Sequence, residues 1–363
     1  MNRMKPATTL RDARELVAQG LAPAADLADL EKIASRYAVA ITPELAALID
    51  RNDPSDPIAR QFVPSREELS VHESERADPI GDGAFSPVAG IVHRYPDRVL
   101  LKLVHVCAVY CRFCFRREMV GPGKDSALSE EAYASALDYI RANKGIWEVI
   151  LTGGDPLMLS PRRLGQVMND LAAIDHVRII RIHTRVPVAD PSRISEQMVQ
   201  ALRVDRATVW VALHANHARE LTERARRAVA QLVQAGIPMV SQSVLLRGVN
   251  DNVAALEELM RAFVECRIKP YYLHHGDLAP GTAHLRTTLA HGQALMAALR
   301  GRVSGLCQPQ YVLDIPGGAG KSPVGPSYLR AENSFVGERD AVRETRYRVT
   351  DYCGEVHLYP PQP

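Results

Sequence analysis

The stretch VLLKLVHVCAVYCRFC, Val99 to Cys114, sets the terms on which the rest of the chain is read. An apolar, β-rich run ends at Val106, and Cys107, Cys111 and Cys114 follow at once with the spacing C-x3-C-x2-C. A [4Fe–4S] cluster takes one thiolate for each iron. This loop supplies three, which leaves one iron open. A structural zinc site would use four ligands, usually on paired C-x2-C arms. The remaining cysteines, Cys266, Cys307 and Cys353, are isolated and build no second arm.

Moving outward, strand-like and helical stretches alternate from about Ile91 to His275. The β-rich runs are Val99–Val106, Trp147–Leu151, Val177–His183, Thr208–Leu213, Met239–Val244 and Lys269–Leu273. Helical patterns separate them at Ser129–Asn143, Pro161–Ile174, Ser195–Leu202, Arg219–Ala235 and Asn252–Cys266. Such alternation predicts an α/β fold, a parallel sheet with right-handed crossovers. Six strands with helices outside give a partial (β/α)6 TIM-like barrel over residues 91–300. Reactive residues then gather at the strand C-termini, where the cysteine loop already sits.

Residues 1–90 read as a helical accessory segment, with helical spacing at Thr9–Gln19, Ala24–Ala38 and Pro43–Ile49. The Pro- and Asp-rich stretch Asn52–Pro64, then Pro79, Gly81, Gly83 and Pro87, read as a long connection without chemistry. Residues 301–363 form a C-terminal segment, short and β-rich, expected to close the barrel mouth. A helix is expected before it, at Leu289–Arg300.

Across 363 residues the hydrophobic share is 46% and the net charge +2, with acids and bases interspersed. That supports a sizeable core and gives no nucleic-acid surface or membrane patch. The first twenty residues have no apolar signal core, and three clustered thiols read as metal chemistry in a reducing compartment. A cytoplasmic protein is expected.

Other constellations surround the cluster. LTGGDP (Leu151–Pro156) ends the second strand with Gly153, Gly154 and Asp155; it is a place for close backbone approach to a ligand, or an ordinary turn. PGGAGKSP (Pro316–Pro323) is not a phosphate loop of the Walker type, because Ile315 stands where the first glycine belongs. It presents Lys321, and a lysine so held can form a Schiff base with pyridoxal phosphate. Arg94, Arg98, Arg116 and Arg117 carry forks suited to carboxylate or phosphate, although Arg117 reads better as a surface salt bridge. Asp277 and Asp314 each follow a strand-like run; two converging carboxylates would bind a cation such as a substrate ammonium. His183, His214, His217 and Gln242 stand at strand ends, where either cofactor contact or a structural hydrogen bond suits them.

The cysteine spacing resembles the signature of the radical S-adenosylmethionine enzymes. With LTGGDP, QSVLLRGVND (Gln242–Asp251) and PGGAGKSPV in this order, the chain closely resembles the lysine 2,3-aminomutase family over about two-thirds of its length. The resemblance implies that Cys107, Cys111 and Cys114 ligate the cluster. It implies that Lys321 holds pyridoxal 5′-phosphate, that Arg116 meets the substrate carboxylate, and that Asp277 and Asp314 hold the ε-ammonium of L-lysine. Arg94 and Arg98 fall near the pyridoxal phosphate group. Gly153, Gly154, Asp155, His214 and Gln242 fall among the contacts to cofactors, with the glycine motif facing the amine of S-adenosylmethionine. The implied reaction is reductive cleavage of S-adenosylmethionine, hydrogen abstraction from Cβ of lysine, and 2,3-migration of nitrogen to give β-lysine. A flavodoxin or ferredoxin is the implied electron donor, and a homo-oligomer is expected. One departure is informative: a cysteine that clostridial members use for zinc is Asn252 here, and the tail offers only Cys353. No structural zinc is expected. The alternatives are a relative acting on a lysine of elongation factor P, one acting on glutamate, and a radical enzyme without pyridoxal phosphate.

Overall fold

Side-chain alternation along the strands decides which residues line the interior and which meet the helices. A computed structural model describes residues 8–121, 126–331 and 346–360; part of the expected C-terminal segment, residues 332–345, lies outside them. One sheet holds nine strands in chain order. β1 (Ile91–Tyr95) pairs antiparallel with β2 (Arg98–Val104). From β2 onward β3 (Glu148–Gly153), β4 (Ile179–Thr184), β5 (Thr208–His214), β6 (Met239–Val244) and β7 (Ile268–His274) are parallel. These are the six strands expected. A seventh parallel strand, β8 (Gln310–Ile315), extends the sheet, and β9 (Gly320–Pro323) runs back antiparallel beside it. The sheet therefore continues past residue 300, where the sequence reading placed a domain boundary.

Among the described residues, four short helices precede the sheet: α1 (Ala13–Ala18), α2 (Leu27–Arg36), α3 (Pro43–Ala46) and α4 (Ala59–Phe62). Between the strands lie α5 (Glu130–Ala142), α6 (Pro161–Ala172), α7 (Val186–Ala189), α8 (Glu196–Ala201), α9 (Glu223–Gln234), α10 (Val253–Glu265) and α11 (Leu289–Leu299). All but α7 begin at a side-chain cap: Ser129, Ser160, Ser195, Thr222, Asn252 and Thr288 each accept the N–H three residues on. Asn252 thus has a local role as the cap of α10.

Ile180, Ile182, Val211 and Leu213 on the sheet pack with Val167, Leu171, Leu256 and Phe263 of the helices. The alternate positions, Thr152, Arg181, His183, His214, Gln242, His274 and Asp314, fall on the opposite, inner face. Across β8 and β9, Asp314 and Lys321 are direct cross-strand partners. The turn between them needs Gly317, Gly318 and Gly320 in left-handed conformations. A Cβ on Gly318 would lie 2.3 Å from the Phe85 ring, and one on Gly81 would lie 2.6 Å from the Gly318 nitrogen. The two edges of the sheet are joined by a side chain: the Lys321 N–H donates to the Tyr95 hydroxyl at 2.7 Å.

Among the described residues of the C-terminal segment, the β8–β9 hairpin stands near the strand ends that carry the site. The tail sheet, β10 (Leu329–Ala331), β11 (Tyr347–Thr350) and β12 (Val356–Tyr359), is antiparallel. It follows β9 back toward the turn that feeds β8, where Tyr352 covers Gly301 and Arg300 stacks over Tyr328 at 4.3 Å. Residues 332–345 and 361–363 of the segment expected to close the mouth lie outside the described residues.

The N-terminal segment is more than a cap. Glu68 is buried and accepts from Arg112 Nε at 2.9 Å, from Arg112 Nη2 at 2.6 Å and from Arg117 Nη2. Arg117 is thus a buried ion-pair partner, and its surface assignment is corrected. Burial pushes the Glu68 carboxyl up, but Arg112 and then Arg117 outweigh it and hold it at about 2. Its ionisation stabilises the fold fully above its ordinary value of 4.5, and that contribution is lost as the pH falls through about 2. Glu68→Gln is expected to cost about 3–5 kcal/mol, since two guanidiniums are left buried without their anion. Urea unfolding at neutral pH measures it; a loss under about 1 kcal/mol would mean that water relieves the pair.

Candidate active site

The cluster loop leaves β2 with its stem held by β3. Gly154 N–H donates to the Val104 carbonyl at 2.5 Å and Asp155 N–H to the Val106 carbonyl at 2.9 Å. A Cβ on Gly153 would lie 2.5 Å from the Val104 oxygen, and one on Gly154 would lie 2.3 Å from that of Val106. The glycines are therefore required by this backbone approach, whatever else they meet. Asp155 is similarly engaged: its carboxylate accepts from Leu157 N–H at 3.0 Å, Thr184 Oγ1 at 2.7 Å and Arg185 N–H at 2.7 Å. It ties the end of β3 to the end of β4.

Cys107, Cys111 and Cys114 are free thiols close enough to act on one another's ionisation. Burial pushes all three up, Cys114 to about 11. Half-buried thiols whose ionisation is disfavoured become stable thiolates against a metal's positive charge. This donor set fits an iron–sulfur cluster. Arg185 Nη1 lies 3.0 Å from Cys111 Sγ, a contact the sequence reading missed.

Deeper in, Arg116 Nη2 donates to Asp82 Oδ2 at 2.8 Å, and Arg94 Nη2 donates to Asp82 Oδ1 at 3.1 Å and to the Ile80 carbonyl at 2.8 Å. Both Nε atoms are buried without a partner among the described residues. Asp82 was read as part of a connection; it is a buried anion between two arginines. Lys102 of β2 adds a cation nearby, its amine pushed down by burial and then by Arg116. Arg98 stacks on Tyr95 at 4.0 Å, the residue whose hydroxyl receives the Lys321 N–H. Arg98 and Lys321 therefore meet at one ring, which fits a phosphate beside the lysine.

Lys321 Nζ donates to Asp314 Oδ1 at 2.8 Å, and His274 Nδ1 lies 3.4 Å from Asp314 Oδ2. Burial pushes the Asp314 carboxyl up, yet His274 and Lys321 overcome it and hold it well below the usual carboxylate range. Asp277 goes the other way, to about 7, through burial and then the charge of Asp314. The two acids are thus brought together. His183 and His214 are held neutral by burial. His183 Nε2 lies 3.1 Å from Gln242 Nε2, whereas His214 Nε2 has no partner among the described residues. His217 is drawn away to cap a short turn through Arg219 N–H.

Residues 101–261 match the model of the radical SAM superfamily, and residues 296–350 match that of lysine-2,3-aminomutase. The L-lysine 2,3-aminomutase of Clostridium subterminale is 41% identical over 322 residues, covering 89% of this chain and 76% of that protein. The chain belongs to the lysine 2,3-aminomutase family. The L-lysine 2,3-aminomutase of Acetoanaerobium sticklandii is 43% identical, over 81% of this chain and 71% of that protein. A glutamate 2,3-aminomutase of Clostridioides difficile is 36% identical, over 83% of this chain and 70% of that protein. As an aminomutase of the radical SAM superfamily, the chain is an isomerase that uses a [4Fe–4S] cluster, S-adenosylmethionine and pyridoxal phosphate. No helix among the described residues is long and apolar enough to cross a membrane.

Proposed function

We propose that this aminomutase interconverts L-lysine and β-lysine. One observation carries the choice of lysine: an ammonium, that of Lys321, already rests on Asp314 at 2.8 Å, with Asp277 beside it. A primary ammonium on an aliphatic stem is the group at the far end of a lysine substrate. The same two acids would repel the distal carboxylate of glutamate.

When bound, the cluster and S-adenosylmethionine supply a carbon radical, and pyridoxal phosphate supplies an electron sink for the migrating nitrogen. The chain's own residues do the rest. Cys107, Cys111 and Cys114 hold the cluster and leave one iron for S-adenosylmethionine. Lys321 attaches pyridoxal phosphate, and Arg98 serves its phosphate. With the Lys321 amine turned toward pyridoxal phosphate and away from Asp314, the acid pair would be open to the substrate ammonium. Arg116 takes the α-carboxylate in place of Asp82. Fixing both ends of lysine places Cβ against the radical source, a gain of orientation. The barrel interior keeps water from the reactive carbon. A one-electron donor of the flavodoxin or ferredoxin class and assembly of several copies complete the proposal.

Affinity for lysine should rise with pH. Below about 7 Asp277 is protonated and the pair carries one negative charge; above it, two face the ammonium. KM for lysine is expected to fall by up to roughly tenfold per unit as the pH approaches that value from below, then level off. Asp277→Asn should raise KM and flatten the profile; an unchanged slope in that variant would remove Asp277 from the ammonium site. The direct assay offers L-lysine, L-glutamate and L-alanine separately to anaerobically reconstituted protein. β-Lysine as the main product supports the proposal, and preferential turnover of glutamate overturns it.

A further inference from the structure

The buried guanidinium of Arg185 is anchored on every side but one. Its backbone N–H is held by Asp155 at 2.7 Å. Its Nη2 donates to Glu220 Oε2 at 2.8 Å and to Gln61 Oε1 at 3.1 Å. Glu220 is itself fixed, its other oxygen accepting from the N–H groups of Asn216 at 2.8 Å and His217 at 2.9 Å. The rings of Phe62 and Phe113 lie 4.9 and 5.5 Å from the guanidinium carbon. What is left is Nη1, which donates to Cys111 Sγ at 3.0 Å, and Nε, buried and unpartnered among the described residues.

So much buried structure spent on one N–H···S contact has a consequence for a cluster sulfur. We propose that Arg185 is a positioning residue that fixes the Cys111 sulfur and raises the reduction potential of the cluster. The proposal rests on Cys107, Cys111 and Cys114 being the cluster ligands. One-electron reduction adds a negative charge to the cluster. A cation and a hydrogen bond at a ligating sulfur favour the reduced state, and hydrogen bonds of this kind are a recognised determinant of cluster potential. The apolar surroundings of Phe62 and Phe113 leave the charge little screened. Glu220 offsets part of it, so the pair sets the net field at the sulfur.

The test is a potentiometric titration of the reconstituted holoprotein, followed by electron paramagnetic resonance, with iron and sulfide content measured alongside. In Arg185→Gln the cluster should assemble, and its reduced-to-oxidised ratio at a given donor potential should fall about tenfold, a shift of about 59 mV to lower potential for a one-electron couple. Arg185→Lys keeps the charge but not the anchored fork and should shift the same way by less. Glu220→Gln leaves the guanidinium charge uncompensated and should shift the potential upward. Opposite signs from two neighbouring residues would not follow from a packing role. Full clusters with wild-type potentials in both Arg185 variants would overturn the proposal. So would loss of the cluster from both, which would make Arg185 purely structural. Wild-type protein that takes up no cluster would instead sink the ligand assignment beneath it.

Discussion

Lys321→Ala is expected to lower isomerisation by more than about a thousandfold while leaving the iron and sulfide content unchanged. Lys321 carries the amine on the hairpin strand, and its partners are Asp314 and Tyr95, none of which touches the cysteine loop. The variant should therefore still release methionine from S-adenosylmethionine under reductant. It should lose the visible absorbance of lysine-attached pyridoxal phosphate. Without cofactor, Asp314 would keep His274 but lose its ammonium partner, so its carboxyl would titrate higher than in the cofactor-free parent. Lys321→Arg separates the two roles, because it returns a cation to Asp314 without an amine able to attach the cofactor. It is expected to be as inactive as alanine. Substantial turnover in either variant would remove the covalent assignment.

Replacing Cys107, Cys111 or Cys114 singly by alanine should give the complementary profile. Two thiolates cannot hold a cube that needs three from this loop, and no spare cysteine is placed to help. Cys266 ends α10, Cys307 lies just before β8, and Cys353 is exposed in the tail. Iron content should fall, methionine release should cease, and isomerisation should drop at least about a thousandfold. The absorbance due to Lys321 should survive. A variant that keeps both iron and methionine release would show that its cysteine is no ligand.

Much of this site was legible because its chemistry is local in sequence. The three cysteines lie within eight residues at the end of a strand, and Lys321 sits in a glycine-rich turn whose residues demand left-handed backbone. The strands and their crossover helices were legible too, since a parallel sheet covered by helices writes long apolar runs and Ser, Thr or Asn caps into the chain. What was not legible depends on distant partners. Glu68, Asp82 and Gln61 stand in a stretch whose prolines, glycines and acids look like a connection. Their roles come from arginines 12 to 124 positions away. Arg185 might have been suspected, as it directly follows the strand ending RIHT, where βα loops gather reactive groups. The run before Asp314 reads as strand-like, but it lies beyond the alternating region and is not counted among the barrel strands. The glycines of LTGGDP stand out in the sequence, and the backbone of the neighbouring strand already accounts for them.

A last consequence follows from how the two rims of the sheet meet. Among the described residues a phenol oxygen, the Phe85 ring and a glycine-on-glycine touch fasten the hairpin to the opposite rim, whereas a full ladder secures it to β8. The hairpin is therefore held along one side by strand pairing and along the other by a few contacts. Moving the Lys321 amine off its carboxylate breaks one side-chain ion pair and leaves both the strand ladder and the backbone bond to the phenol in place.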